Sequence, residues 1–307
     1  MSSIITYETE LPWLKFHRPT PEIFKKLIME LDAFRPSVPI EDTHSIFIFS
    51  INDDGTSIKI KTEIDAATIV GKDEIDEDFP YSILDNIVLC RLKDLFFTIN
   101  LAYPGCIHIT RSVVFRNSEP LHDMFSYGAD MSAWAHNEYA KWLPFENLTI
   151  QQCWEWIATK TNFLLDISRT SIDRALHALS YECSAIDDMY IFYILLGLEA
   201  IYNNNNNRED SILEQLRRKS QALLGELPPN AIKAIRDMYS KRSKLVHGSA
   251  NIFKYWQMES YEEKEYNKVM DERKYVVIAT GLLLTTIQKF IKANANTLTE
   301  TITVKLE

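Results

Sequence analysis

Pro228-Pro229-Asn230-Ala231-Ile232-Lys233-Ala234-Ile235-Arg236-Asp237-Met238-Tyr239-Ser240-Lys241-Arg242-Ser243-Lys244-Leu245-Val246-His247-Gly248 decides the fold of the second half of this chain. Tandem prolines followed by good helix formers mark a helix start, because proline at the first helical position lacks only an N–H that would be unbonded anyway. Ala231, Ile232, Ile235, Met238, Tyr239, Leu245 and Val246 are the apolar positions, while Lys233, Arg236 and Ser240 lie off that face. Gly248 follows as the residue best able to adopt the left-handed conformation that ends a helix. The stretch therefore predicts one amphipathic helix over 229–247.

Working outward, residues 150–296 have few glycines or prolines outside obvious breaks. Apolar periodicity predicts helices at about 149–160, 166–183, 186–203, 208–224 and 229–247, with a last long one at 261–295. The breaks are Asn203–Asn207, Gly225–Pro229 and Gly248. Short connections of this kind predict an up-and-down helical bundle. The five asparagines at 203–207 suit a polar loop, since asparagine favours turns and helix ends.

The first half has a different texture. Prolines 12, 19, 21, 36 and 39 punctuate residues 1–40, with one short helix predicted from Thr20 to Leu31. Ser45–Ile51 is an apolar run of strand length, Asn52-Asp53-Asp54-Gly55 is a turn signal, and Ser57–Ile64 alternates with period two. These features predict a hairpin. Further strands are predicted at Asn86–Leu92, Leu95–Leu101 and Cys106–Phe115. The acidic run Asp73–Asp78 is read as a solvated loop. The fold class is thus α+β, with a strand-rich domain over 1–148, a helical bundle over 149–296 and a tail over 297–307.

Composition narrows the function classes. The 307 residues carry a net charge of −10, and 46% are apolar, which is ordinary for a globular chain. Residues 1–149 hold 13 basic and 23 acidic side chains, whereas residues 150–307 hold 20 of each. The acidic excess lies wholly in the first half. In the second half, basic charge is concentrated at Arg217-Arg218-Lys219 and at Lys233, Arg236, Lys241, Arg242 and Lys244. The most apolar stretch, 275–291, is interrupted by Thr280, Thr285, Thr286, Gln288 and Lys289, so no membrane span is expected. The N-terminus lacks the pattern of a signal peptide. Cys90, Cys106, Cys153 and Cys183 have no metal-site spacing and read as free thiols of a reducing cytoplasm. No phosphate-binding glycine loop, nucleophile elbow or zinc-protease motif is present.

The chemistry-bearing residues are Arg242 and His247. Arginine is a permanent cation whose fork matches phosphate, and histidine moves protons near neutral pH. Five residues apart on one ideal helix they lie about 140° from each other. One ligand can meet both only if the helix ends at His247 or a second subunit completes the site. Structural roles compete: His247 can serve the helix C-terminus as a cation, Tyr239 can be a core aromatic, and Glu199 can be a buried acid paired with Arg242 or Arg236.

The string Tyr239-x-x-Arg242-Ser243-Lys244-Leu245-Val246-His247-Gly248 resembles the motif of the HEPN superfamily, in its Apea-like branch. Ile191–Tyr202, with Glu199 inside an apolar run, resembles the family's earlier core helix. Leu216–Gly225 resembles the helix before the motif. The resemblance covers about residues 155–296. It implies an HEPN-type bundle that dimerises and cleaves RNA without metal or cofactor. Arg242 and His247 would be the catalytic pair, supported by Glu199, Ser243 and Tyr239. Lys233, Arg236, Lys241 and Lys244 would contact RNA. Expected partners are RNA and a second copy of the chain, with a regulatory protein or phage-derived trigger at the N-terminal domain and no membrane. The function implied is antiviral or toxin-like defence by a cytoplasmic endoribonuclease. The alternative is a non-catalytic binding or dimerisation module of HEPN type.

Overall fold

The computed structural model describes residues 4–12, 26–27, 29–31, 33–34, 37–40, 43–51, 57–65, 81–104, 113–121, 142–165, 167–184, 190–203, 211–249 and 263–299. Two compact units result: Met1–Ser132 with Thr149–Trp154, and Ala133–Leu148 with Glu155–Glu307. The architecture is α+β.

The first unit is built on an antiparallel sheet of order β2-β3-β4-β1-β5-β6. Its strands are β1 (Ile4–Pro12), β2 (Ser37–Ile40), β3 (Thr43–Ile51), β4 (Ser57–Asp65), β5 (Val114–Arg116) and β6 (Glu119–Pro120). β3 and β4 form the predicted antiparallel hairpin, with Phe47 opposite Thr62 and Ile51 opposite Ile58. The period-two alternation of β4 is realised: Ile60, Thr62 and Ile64 are buried, and Lys59, Glu63 and Asp65 are exposed. β1 alternates likewise, burying Ile5, Tyr7 and Thr9. Asn117 and Ser118 join β5 to β6 with φ of 48° and 71°, the paired left-handed geometry of a tight hairpin that asparagine tolerates.

The strands predicted at Asn86–Leu92 and Leu95–Leu101 are instead one helix, α1 (Ser82–Ala102). Leu84, Val88, Leu92, Leu95, Phe96 and Ile99 are buried, a spacing of three and four that belongs to a helix face. Lys93-Asp94, between the two apolar runs, does not break the chain. Arg91 Nη1 donates to Asp94 Oδ2 at 2.7 Å one turn on, which supports the helix across that point. Of the strand predicted at Cys106–Phe115, residues 106–112 lie outside the described residues. So do the turn at 52–55 and the acidic run at 73–78.

Asp85 of α1 ties the helix to the sheet. It accepts from the Tyr7 hydroxyl at 3.0 Å and from Arg116 Nη1 at 2.6 Å. The described residues between 26 and 33 are helical, in line with the short helix predicted there. Glu30 in this segment accepts from the Tyr103 hydroxyl and from the backbone N–H of Ile150.

Helix α2 (Ile150–Lys160) begins with a reciprocal capping box. Gln152 N–H donates to Thr149 Oγ1 at 3.1 Å, and Thr149 N–H donates to Gln152 Oε1 at 2.9 Å.

The regular structure of the second unit, among its described residues, is helical. After a 3₁₀ turn at Phe163–Leu165 come α3 (Ser171–Ser184), α4 (Tyr190–Tyr202), α5 (Ile212–Leu224), α6 (Pro229–Val246) and α7 (Glu263–Lys292). The helix predicted from residue 166 starts only at Ser171, because Asp173 binds the backbone N–H groups of Arg169 and Thr170 and fixes a non-helical entry. α3 and α4 pack closely on each other, and α7 touches α3, α4, α5 and α6. The apolar window Tyr275–Lys292 of α7 is 83% buried, so it is the core helix of this unit. Gly197 of α4 lets the helices close: a Cβ there would come within 2.6 Å of Leu283 Cδ2 on α7.

Candidate active site

Helix α6 forms as the sequence dictates. Pro228 is its N-cap and Pro229 its first residue. Ala231, Ala234, Ile235 and Met238 are buried, a stripe that packs inward. The helix ends in a Schellman motif. Gly248 N–H bonds to the Leu245 carbonyl at 3.2 Å, and Ser249 N–H bonds to the Lys244 carbonyl at 2.9 Å. Gly248 has φ of 68°, the left-handed region that favours glycine.

His247 is the C-cap, with φ −90° and ψ 8°. It follows the last helical residue, Val246, and is exposed. The helix thus ends at His247, which is the first of the two geometries that a five-residue spacing leaves open.

Arg242 stands about 1.4 turns earlier. Its Nη1 donates to Glu199 Oε1 of α4 at 2.8 Å. The Arg242 side chain keeps 39% of its surface exposed and Glu199 keeps 18%. Of the two arginines that sequence offers as partner for Glu199, Arg242 takes the role, while Arg236 lies 3.7 Å from its neighbour Asp237. Arginine has five N–H donors, and one contact is made here among the described residues. The fork can therefore accept a phosphate without releasing Glu199.

Tyr239 completes this cluster. It lies three residues before Arg242, on the same side of α6. Burial, and next the charge of Glu199, push its phenol pKa well above the usual value, while Arg242 pulls weakly the other way. Its hydroxyl is buried beside the Glu199 carboxylate without a hydrogen bond of good geometry among the described residues.

The fold brings Glu199, Tyr239 and Arg242 together from two helices. Ser243 and Lys244 are exposed on the outer face of α6, as are Lys233 and Arg236, and Lys241 is half-buried. The Lys244 carbonyl takes part in the helix ending, accepting from both N and Oγ of Ser249. Val246 and Leu196 are exposed apolar side chains, at 63% and 51%. Leu196 stands three residues before Glu199 and Val246 four after Arg242, so each shares a helix face with one member of the ion pair. Their position was open to sequence reasoning; their exposure was not, because both belong to apolar runs.

Among the described residues no three His, Cys, Asp or Glu side chains gather closely enough to hold a metal ion. Cys90 is exposed, and Cys153 is buried as a free thiol. Burial pushes the Cys153 thiol pKa up, which makes it a poor nucleophile.

The arrangement offers a half-exposed guanidinium held by an acid, and an exposed imidazole at the end of the same helix. Comparisons with family models, with curated proteins and with solved structures find no match for the chain.

Proposed function

We propose that the protein is a metal-independent endoribonuclease of HEPN type. The observation that carries this reading is the half-exposed Arg242 fork, held by Glu199, on a helix that ends at an exposed His247.

RNA supplies its own nucleophile. The 2′-oxygen forms a bond to phosphorus, the bond from phosphorus to the 5′-oxygen breaks, and the chain separates into a 2′,3′-cyclic phosphate and a 5′-hydroxyl. One proton leaves the 2′-OH and one reaches the departing 5′-oxygen. Imidazole serves either transfer. Arg242 faces the charge that develops on the phosphorane, where a fixed cation stabilises the transition state most. Glu199 is a positioning residue: it fixes one arm of the Arg242 fork. Lys233, Arg236, Lys241 and Lys244 would draw the phosphate backbone to the helix, with Ser243 and Tyr239 in support.

One histidine cannot stand on both sides of the same phosphate. Two copies of the chain facing each other would supply two, one as base and one as acid, and exposed Leu196 and Val246 give such an interface apolar surface. The setting would be antiviral or toxin-like defence in the cytoplasm, with the first unit restraining the nuclease until a regulatory protein or phage-derived trigger binds.

The Arg242–Glu199 pair also favours a second reading, a non-catalytic binding or dimerisation module in which the pair serves the fold alone. One assay separates the two. Purified full-length protein is incubated with RNA, with and without EDTA, beside Arg242→Ala, His247→Ala and Glu199→Gln. Cleavage by wild type in EDTA to 2′,3′-cyclic phosphate ends is expected, with a loss of about 10²-fold or more in the first two variants. Intact RNA with wild type, or cleavage that persists in both alanine variants, would overturn the nuclease.

A further inference from the structure

Four rings form a row across the 3₁₀ turn, α3 and α4. Phe163 and His177 lie 4.8 Å apart between centroids, His177 and Tyr181 6.3 Å, and Tyr181 and Tyr193 5.6 Å. Phe163 and His177 are buried, so the row is rooted in the core. Tyr181 emerges from it with 56% of its surface exposed. A ring braced on both sides by other rings, yet open to solvent, is a preorganised stacking surface. It loses little rotamer freedom when something lies on it.

Two further features point to what lies on it. Arg174 is exposed on α3, two turns before Tyr181 on the same helix face, and makes no ion pair among the described residues. The outward ridge of α4 then runs Tyr193, Leu196, Glu199. Each three-residue step turns about 60° and rises about 4.5 Å. All three positions are exposed or half-buried, whereas Ile194, Leu195, Gly197 and Leu198 between them are buried. The ridge thus leads, over about 9 Å, from the aromatic row to the carboxylate that holds Arg242. Rings with an exposed cation two turns along the same helix face, on a track to a phosphate-binding guanidinium, fit bases and backbone of a single strand.

We infer that Tyr181 and Tyr193, with Arg174, form a base-stacking platform for single-stranded RNA, one that feeds the strand along α4 to Arg242. The platform rests on the ribonuclease reading for its ligand, and binding can be measured apart from cleavage. Stacking on these rings selects for unpaired bases and tolerates any sequence.

The test uses full-length protein and a fluorescent 12-nucleotide single-stranded RNA, followed by anisotropy. Tyr181→Ala is expected to weaken binding about five-fold or more, and Tyr181→Phe, which keeps the ring, to stay within about two-fold. Arg174→Ala is expected to reduce the salt dependence of binding by about 0.7 in the log–log slope. A double-stranded RNA competitor is expected to compete poorly. Tyr181→Ala binding that equals wild type overturns the platform, whatever the cleavage assay reports. Platform binding without cleavage in wild type leaves the platform standing and removes the nuclease. A Tyr181→Ala variant that changes only the molecular mass in solution would make this a protein interface and would also overturn the inference.

Discussion

Asp173 has no exposed surface, yet it stays ionised. Burial would raise its pKa, but hydrogen bonds from the backbone and side chain of Asn162 and from Thr170 outweigh burial and lower it. Three backbone N–H groups, of Asn162, Arg169 and Thr170, end on this one carboxylate. Asp173→Ala leaves them without that acceptor and is expected to cost about 2–4 kcal/mol in urea unfolding. The sign with pH follows from the lowered pKa. The carboxylate stabilises the fold above the ordinary aspartate range, and that contribution is lost as pH falls through its depressed folded value. The gap between wild type and Asp173→Ala should therefore narrow in acid, and a gap constant down to pH 2 would contradict this.

Single residues also mark how far sequence reasoning reached. Glu199 was legible as a buried acid needing an arginine, because an unpaired carboxylate in an apolar helix is costly. Which arginine it takes depends on how α4 lies against α6, and that is a tertiary fact. Tyr181 was not legible at all. Of the row, only His177 shares its helix; Phe163 and Tyr193 come from other elements, so no local pattern announces the whole row.

At the scale of elements, α6 was the clearest helix in the sequence, since both its ends carry chemistry of their own. The proline pair starts it and Gly248 stops it. Gly248→Ala would force a Cβ into the left-handed region at φ 68°. A loss of roughly 1 kcal/mol is expected from thermal melting, with fraying of the turn that carries His247. A loss below about 0.3 kcal/mol would mean that the helix end is not held by this motif. α1 failed as a sequence reading for the opposite reason. Its apolar positions are so numerous that two strand-length runs appear within one 21-residue helix. The buried set from Leu84 to Ile99 does have helical spacing, and weighting it over the whole stretch instead of over short windows would have revealed the helix.

On the scale of the whole molecule, charge and exposed apolar surface matter most. The acidic excess belongs to the first half of the chain and the local basic clusters to the second. A chain of net charge −10 that binds RNA must do so through a confined basic surface, so affinity should fall steeply with salt. The other whole-molecule expectation is self-association. Val246 and Leu196 are exposed enough to be replaced without touching the core. If two copies meet there, Val246→Asp should keep the protein at one-chain mass in sedimentation equilibrium, where wild type approaches two, with an unchanged melting temperature. Equal masses for the two proteins would remove this face as the contact. The coarse division into a sheet-bearing first part and a helical second part was legible from patterning alone. The chain's passage between the two units was not, because the opening turn of α2 groups with the sheet-bearing unit.

The polar residues buried within α7 have one more consequence. Thr285 Oγ1 donates to the Gly281 carbonyl at 2.8 Å, and Thr286 Oγ1 donates to the Leu282 carbonyl at 2.7 Å. The Tyr202 hydroxyl must then donate to Thr286, at 2.5 Å. Gln288 Oε1 accepts from the Glu146 N–H at 3.0 Å. The first two bonds lie within α7, but rolling it about its axis by even one residue position would break the bonds from the Tyr202 hydroxyl and the Glu146 N–H and leave those groups without these acceptors. The helix is therefore keyed, and the stretch Leu282–Gln288 cannot open without opening the whole unit. Its amides should exchange with deuterated solvent last, at the rate set by global unfolding, while those near His247 exchange within minutes. Any RNA-driven change in the unit would then have to move the ends of the helices around an axle that stays still.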